Sequence, residues 1–159
     1  MNNKIKPRRE LLEIIEGLKT QGKRVAFTNG CFDILHVGHL HTFREAKRHG
    51  DILIVGLNSD TSVRALKGKE RPFVPEKQRA AMVAALEDVD YVVIFEELDP
   101  LSIIIELKPD VLLKGEDWGE GRVIGQKVVE EEGGRVIHVP LVKGISTSKL
   151  IERIRALGK

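Results

Sequence analysis

The stretch RVAFTNGCFDILHVGHL, residues 24–40, joins a short apolar strand to a turn and the start of a helix. Two histidines, His36 and His39, stand three residues apart in it with Gly38 between them. At a helix start this spacing places both imidazoles on one side, beside free backbone N–H groups and the positive end of the helix dipole. Gly38 has no side chain to block a ligand. The stretch therefore predicts an anion pocket with two imidazole donors.

Four further apolar runs follow this first strand, at residues 52–57, 91–95, 111–113 and 135–139. Helical stripes are predicted between them and at the ends, near residues 11–18, 39–49, 78–86, 101–107, 123–132 and 146–157. In the last helix the apolar residues expected to face inward are Leu150, Ile151, Ile154 and Leu157. Alternating strands and helices favour an α/β fold with a doubly wound, parallel, Rossmann-like sheet. Ligands bind such sheets beyond the carboxyl ends of the strands, where the strand order reverses.

Length and composition exclude several classes of protein. The chain has 159 residues, enough for one domain, with 42% hydrophobic and 31% charged residues and a net charge of +2. This balance and the 4% of aromatic residues do not favour a nucleic-acid partner, and no apolar run is long enough for a membrane span. The single cysteine, Cys31, excludes a disulfide framework. Because the polar, basic start does not resemble a secretory signal, we expect a cytoplasmic protein.

The histidine pair also has less specific interpretations. A catalytic zinc site needs a third ligand, and His41, two residues further on, would face away from the pair. A single histidine is often only a core residue, but a pair with a glycine at the exit of a first strand is less often so. We therefore predict no metal site formed by the protein.

A second candidate phosphate site is GISTS, residues 144–148, which opens the last helix after the final strand. Three hydroxyl groups at a helix start can cap the helix or hold phosphate oxygens. Simple capping by Ser146 is one alternative. The other is phosphate binding, favoured because Lys149 stands where a capping box would have an acidic residue. The sequence leaves both open.

The stretch KGKERPFVPEK, residues 67–77, is predicted to be a long loop rich in proline and lysine. One interpretation is a mobile loop that folds over the substrate, with Lys67 reaching in. The other is a solvated connection. Composition alone favours the second.

Two motifs of the chain, taken together, resemble those of a known family. GCFDxxHxGH, residues 30–39, together with residues 144–148 are similar to the paired HxGH and ISTxx signatures of the nucleotidyltransferase superfamily, in its cytidylyltransferase-like branch. The likeness extends over residues 24–155 and is strongest to heptose 1-phosphate adenylyltransferases, which act in lipopolysaccharide synthesis. It implies one domain over 1–159, with 1–22 as a helical extension and 24–155 as the catalytic core.

The resemblance implies transfer of AMP from ATP, with Mg²⁺, to a sugar 1-phosphate, D-glycero-β-D-manno-heptose 1-phosphate. It also implies that a separate sugar kinase is a possible partner; we further expect a homodimer. The residues it makes catalytic are His36, His39 and Lys67. Those it assigns to nucleotide binding are Asn29, Gly30, Cys31, Phe32, Gly38, Lys114, Asp117, Trp118, Ser146, Thr147 and Ser148. Lys69 and Arg79 are further phosphate candidates, although Arg79 could only pin its helix, and Asp33 is expected to organise its loop.

Two alternatives stay open. Glycerol-3-phosphate cytidylyltransferases resemble the chain and use CTP, but arginines typical of that family are replaced here by Leu141 and Glu87. These departures favour ATP. The other alternative is a non-catalytic nucleotide-binding partner of a separate sugar kinase, which would not need His36, His39 and Lys67 as transition-state donors.

Overall fold

The computed structural model describes residues 3–115 and 123–158. Its centre is a five-stranded, fully parallel sheet with the strand order β3-β2-β1-β4-β5. The strands are β1 (Val25–Gly30), β2 (Ile52–Asn58), β3 (Tyr91–Phe95), β4 (Val111–Gly115) and β5 (Arg135–Val139). The predicted doubly wound α/β fold is confirmed: all the strand pairings are parallel, and apolar residues predominate in β2 and β3, which are covered on both faces.

Seven helices are described within these ranges. They are α1 (Arg8–Thr20), α2 (Val37–His49), α3 (Asp60–Lys67), α4 (Glu76–Ala84), α5 (Leu101–Leu107), α6 (Gln126–Glu131) and α7 (Thr147–Leu157). Helix α3 was missing from the sequence prediction. Its start is fixed by Ser59, whose side chain accepts a hydrogen bond from the N–H of Ser62. Lys67 is consequently the last residue of a helix and not the first residue of a loop.

The two faces of the sheet carry two apolar clusters, because alternate strand residues point to opposite sides. On one face Ala26 and Val55 pack with Phe43 of α2. The opposite face includes Phe27 and Ile54 and is covered by α1, α5 and α6. Helices thus cover both sides, as a doubly wound sheet demands.

The N-terminal segment is part of this core and not an appendage. Leu11 and Ile15 of α1 are buried in the second cluster. Before the helix, Val92 of β3 donates to the carbonyl of Lys4 and accepts from the N–H of Lys6. The segment therefore both extends the hydrogen bonding at the β3 edge and covers one face of the sheet.

Helix α7 differs from its prediction. Only Ile151 of its apolar stripe is buried, while Ile154 is 61% and Leu157 80% exposed. The expectation that both face inward is wrong, since the described part of the chain leaves these two side chains largely uncovered. Its attachments include the Thr147 hydroxyl, which donates to the carbonyl of Ile34 over 3.3 Å.

The topology gathers the carboxyl ends of all five parallel strands at one edge. The chain proceeds outward from β1 to β2 and β3, and then returns to the other side of β1 with β4 and β5. The order therefore reverses between β1 and β4, which is where such a sheet binds its ligand. In the described ranges, no helix has the length and apolar character needed to cross a membrane.

Candidate active site

A cavity of about 450 Å³ opens at the carboxyl ends of β1 and β4. Nine of the predicted site residues line it: Asn29, Gly30, Cys31, Phe32, His39, Lys67, Lys114, Thr147 and Ser148. Five others, all within the described ranges, lie outside its wall: His36, Gly38, Lys69, Arg79 and Ser146. Asp117 and Trp118 lie outside the described residues.

The histidine pair forms the start of α2. The two rings stack with centroids 3.8 Å apart and an interplanar angle of 24°. His36 caps the helix, its Nδ1 accepting from the N–H of Gly38 over 3.1 Å, and Nδ1 of His39 accepts from the N–H of His36 over 3.3 Å. Because both Nδ1 atoms accept, both rings are neutral and carry their proton on Nε2. The pair thus presents two Nε2–H donors, and His39 reaches the cavity wall directly.

Burial keeps the pair neutral. It lowers the pKa of His39 to about 4, with His36 adding to the effect, and it lowers the pKa of His36 as well. A neutral imidazole donates a hydrogen bond to a phosphate oxygen without first losing or gaining a proton. The electrostatic state of the pair therefore suits hydrogen bonding near neutral pH.

The two glycines of the motif are required by ring packing. A Cβ at Gly38 would stand 2.9 Å from the His36 ring, so the glycine makes room for that ring. A Cβ at Gly30 would stand 3.1 Å from the ring of Phe32. Phe32 itself has a φ of 48° and packs edge-on against His39, with ring centroids 5.1 Å apart. This packing holds His39 in place.

Asp33 organises the neighbouring segment. Its buried carboxylate accepts from the N–H groups of Phe73 and Val74 and, over 2.6 Å, from Nε of Arg71. Burial raises the pKa of this carboxyl, but the two N–H groups and the guanidinium outweigh it and hold the pKa below its ordinary value. The carboxylate is fully engaged with the segment, in agreement with the role predicted for it.

Arg79 is a structural clamp and not a phosphate ligand. Its side chain is 1% exposed. It donates to the carbonyls of Val74, Cys31 and Asn58 and to the carboxylate of Asp60. With Nε and both terminal nitrogens engaged, the guanidinium ties the turn after β1, the end of β2 and the segment before α4 together. The prediction of Arg79 as a phosphate candidate is corrected accordingly.

The three hydroxyl-bearing residues 146–148 take two different positions: one caps α7 and two line the cavity. Ser146 accepts from the N–H of Lys149 over 3.1 Å and so caps α7, while Thr147 and Ser148 line the cavity. The first turn of α7 holds no acidic residue, so its dipole is left for an incoming anion. Lys67 lies opposite, at the end of α3, and lines this cavity too.

A smaller cavity of about 280 Å³ adjoins the first, and Lys67, Arg71 and Ser148 line both. Lys69 lines only this second cavity, with Arg155 of α7. Lys69 therefore lies beside the main cavity and not in its wall.

Strands β1 and β4, between which the strand order reverses, form one side of the cavity. The Lys114 ammonium donates to the side-chain oxygen of Asn29, joining the two strand ends. Burial raises the pKa of the Cys31 thiol, against the lowering effect of Lys67 and Arg79. A protonated thiol here is a lining group and not a nucleophile.

Sequence reasoning missed several lining residues. They are Thr28, Thr42, Asn58, Leu66, Arg71, Leu98, Asp99, Pro100, Gly115 and Ile124. Leu98, Asp99 and Pro100 follow β3, so the rule that sites lie beyond the carboxyl ends of strands could have indicated them. Arg71 is oriented by Asp33, 38 positions away, and that contact leaves no local signal.

Among residues 3–115 and 123–158, no group of three or more His, Cys, Asp or Glu side chains is arranged to hold a metal ion. The carboxylate of Asp33 is taken up by Arg71 and two backbone N–H groups. Asp99 is the other carboxylate among the lining residues of the cavity.

Comparison with known proteins decides the family. The cytidylyltransferase-like family pattern matches residues 27–153, which include both motifs and all five strands except the first residues of β1. The chain belongs to the cytidylyltransferase-like family. It is accordingly a nucleotidyltransferase, and the resemblance inferred from the motifs is confirmed.

The family's relatives include longer proteins. The chain is 55% identical over 152 residues to the bifunctional protein HldE of Geotalea uraniireducens and 53% identical over 157 residues to that of Geobacter metallireducens. These matches cover 96% and 98% of this chain, but only 31% and 32% of the relatives, so the chain spans about a third of their length. A lipopolysaccharide core biosynthesis protein from Thermoplasma volcanium has a crystal structure that matches with a TM-score of 0.63 at 33% identity, over 78% of this chain and 100% of that one.

Proposed function

We propose that the protein transfers AMP from ATP to a sugar 1-phosphate, D-glycero-β-D-manno-heptose 1-phosphate, and releases pyrophosphate. One observation carries the proposal. A single cavity, at the place where the strand order reverses, brings His39, Lys67 and the Thr147–Ser148 helix start together. These are uncharged donors, a cation and a helix N-terminus, the groups that neutralise a triphosphate. Similarity to bifunctional HldE proteins and to a lipopolysaccharide core biosynthesis protein supports heptose as the sugar.

The reaction is an in-line displacement. An oxygen of the sugar phosphate forms a bond to the α-phosphorus of ATP, the bond from that phosphorus to the bridging oxygen breaks, and pyrophosphate leaves. The protein positions the reactants and neutralises charge, without a covalent intermediate. His36 and His39 donate from Nε2 to the α-phosphoryl oxygens, while Lys67 and the start of α7 hold the leaving pyrophosphate. Mg²⁺ belongs to the substrate as its complex with ATP and supplies further charge neutralisation there.

The nucleotide lies across β1 and β4, because the strand order reverses between them. Strands β2 and β3 are on the other side of β1, each about 4.8 Å further along the sheet. The acceptor sugar therefore lies toward the wall that follows those two strands, formed by Asn58 and residues 98–100. The amide of Asn58 and the carboxylate of Asp99 are suited to hydrogen-bonding sugar hydroxyls.

The preference for ATP rests on two replacements. Leu141 and Glu87, both exposed, stand where the resemblance places arginines in CTP-using relatives. The relatives' designation as bifunctional supports a sugar kinase as the partner activity, either fused or separate.

Pyrophosphate release measured with ATP and CTP, each against heptose 1-phosphate, other sugar 1-phosphates and glycerol 3-phosphate, tests the proposal. We expect kcat/KM with ATP and heptose 1-phosphate to exceed that with CTP by at least about tenfold, which is about 1.4 kcal/mol. Preference for CTP and glycerol 3-phosphate would instead identify the cytidylyltransferase alternative. Nucleotide binding without release from any pair would contradict the proposed transfer.

A further inference from the structure

Arg8 makes an unusual set of contacts for the first residue of a helix. Its guanidinium donates from Nη1 to Glu97 over 2.5 Å, from Nη2 to the Ser102 hydroxyl over 2.6 Å, and from Nε and Nη2 to the two carboxylate oxygens of Glu106, each over 2.9 Å. A cation in the first turn opposes the helix dipole, so its position does not serve α1 itself. The contacts explain it: Arg8 ties the N-terminal helix to the connection between β3 and α5.

Along the chain, these partners flank residues 98–100, the segment that forms part of the cavity wall. Glu97 comes directly before residues 98–100, and Ser102 and Glu106 come after them on α5. One guanidinium therefore holds both ends of the segment that lines the acceptor side.

The wall is also tied to the end of β2. The hydroxyl of Ser62 donates to the carbonyl of Glu97 over 2.9 Å and accepts from the side-chain amide of Asn58 over 2.8 Å. Moving Glu97 would therefore also disturb Asn58, the other polar residue of the acceptor side. Asp99 in turn accepts from the N–H of Leu101 over 2.9 Å, so its carboxylate follows the start of α5.

We propose that Arg8 is a positioning residue for the acceptor sugar phosphate: by fixing both ends of residues 98–100 from outside the family-matched region, it sets the affinity for the acceptor and not for the nucleotide. This inference rests on the proposed function. Arg8 lies 19 positions before residue 27, where the family match begins, so the N-terminal helix contributes to the site from outside the residues that the family pattern matches.

The chemistry favours arginine at this position. Its planar fork reaches two carboxylates and a hydroxyl at once, whereas a lysine ammonium is a single point charge. Without it, Glu97 and Glu106 would lose the cation that joins them. The wall that connects them would then lose its fixed geometry.

The test compares Arg8→Gln and Arg8→Lys with the matched control Arg9→Gln. Arg9 is the next residue, its side chain is 94% exposed, and in the described part of the chain it pairs with Glu13 over 3.5 Å. Steady-state kinetics are measured with ATP and the best sugar 1-phosphate, and hydrogen exchange is measured over residues 96–104. We expect Arg8→Gln to raise KM for the acceptor about tenfold and to speed exchange in this segment, with KM for ATP within about twofold of wild type. Arg8→Lys should recover only part of this loss, and Arg9→Gln should resemble wild type.

The outcomes separate the two proposals. A wild-type protein that releases no pyrophosphate with any sugar 1-phosphate overturns the proposed function and the acceptor role together. An active wild type whose Arg8→Gln variant has unchanged exchange, unchanged acceptor KM, or equal rises in both KM values overturns the inference about Arg8 alone. If Arg8→Gln does not fold, Glu97→Gln replaces it with the same expected split, because it removes the charged partner nearest the wall.

Discussion

His39 combines the features expected of a transition-state donor. It lines the cavity, carries its proton on Nε2, and is held between His36 and Phe32. We expect His39→Ala to lower kcat by roughly 10²–10³, as loss of one preorganised donor does, while KM for ATP changes little. His41→Ala is the matched control, since that residue of the same helix is not in the cavity wall. Turnover at the wild-type rate by folded His39→Ala protein would remove His39 from the mechanism.

The lowered pKa of His39 also makes a prediction about stability. Its pKa is about 4 in the folded protein, against an ordinary value of 6.5. Between these values the unfolded chain binds a proton that the folded chain does not, so the free energy of unfolding falls as the pH drops from about 6.5 toward 4. Denaturant unfolding across this range should show a shallower fall for His39→Gln than for wild type. Parallel curves for the two proteins would contradict the assigned pKa.

Sequence reasoning identified the residues of the site better than their contacts. The spacing of His36 and His39 is local, and it correctly predicted a shared position at a helix start. The roles of Gly38 and Arg79 depend on what packs against them: the folded-back His36 ring lies against Gly38, and Arg79 contacts Cys31, 48 positions away. Such contacts have no sequence periodicity and so could not be predicted.

At the scale of elements, α3 determines what Lys67 can do. As the last residue of a helix, Lys67 has a backbone held at the cavity edge, beside the segment clamped by Asp33. We expect Lys67→Ala to lower kcat more than it raises KM for ATP, because the ammonium neutralises charge that grows on the leaving pyrophosphate. Lys69→Ala, in the adjoining cavity, should have a smaller effect on kcat. A larger effect for Lys69→Ala than for Lys67→Ala in steady-state kinetics would reverse the assignment.

Strands and helices could be predicted where the sequence shows a run or a helical stripe of apolar residues. Each of the five strands includes consecutive apolar residues, and all were expected close to their observed positions. Helix α3 was missed because its eight residues include few apolar ones, with only Ser62 and Val63 buried. The apolar stripe of α7 led to the opposite error. Ile154 and Leu157 have helical spacing, but the described part of the core does not cover them. Periodicity indicates a face, and only tertiary packing decides whether that face is covered.

At the scale of the whole molecule, α1 belongs to the folding unit. Ile15 is buried in the same cluster as Phe27 and Ile54. We expect Ile15→Ala to lower the free energy of unfolding by about 2–5 kcal/mol, as for other large-to-small changes in a core. Leu157→Ala, at an exposed position, should change it by no more than about 0.5 kcal/mol. Denaturant titration measures both, and similar values for the two variants would mean that α1 does not share the core.

The central claim for the whole protein is that it transfers a nucleotidyl group and not a phosphoryl group. The most direct measurement is to incubate it with heptose 1-phosphate and ATP labelled at either the α- or the γ-phosphorus, and to follow which label enters the sugar. We expect the sugar product to take up the α label and the γ label to leave in pyrophosphate. Appearance of the γ label in the sugar, with ADP as the second product, would contradict it.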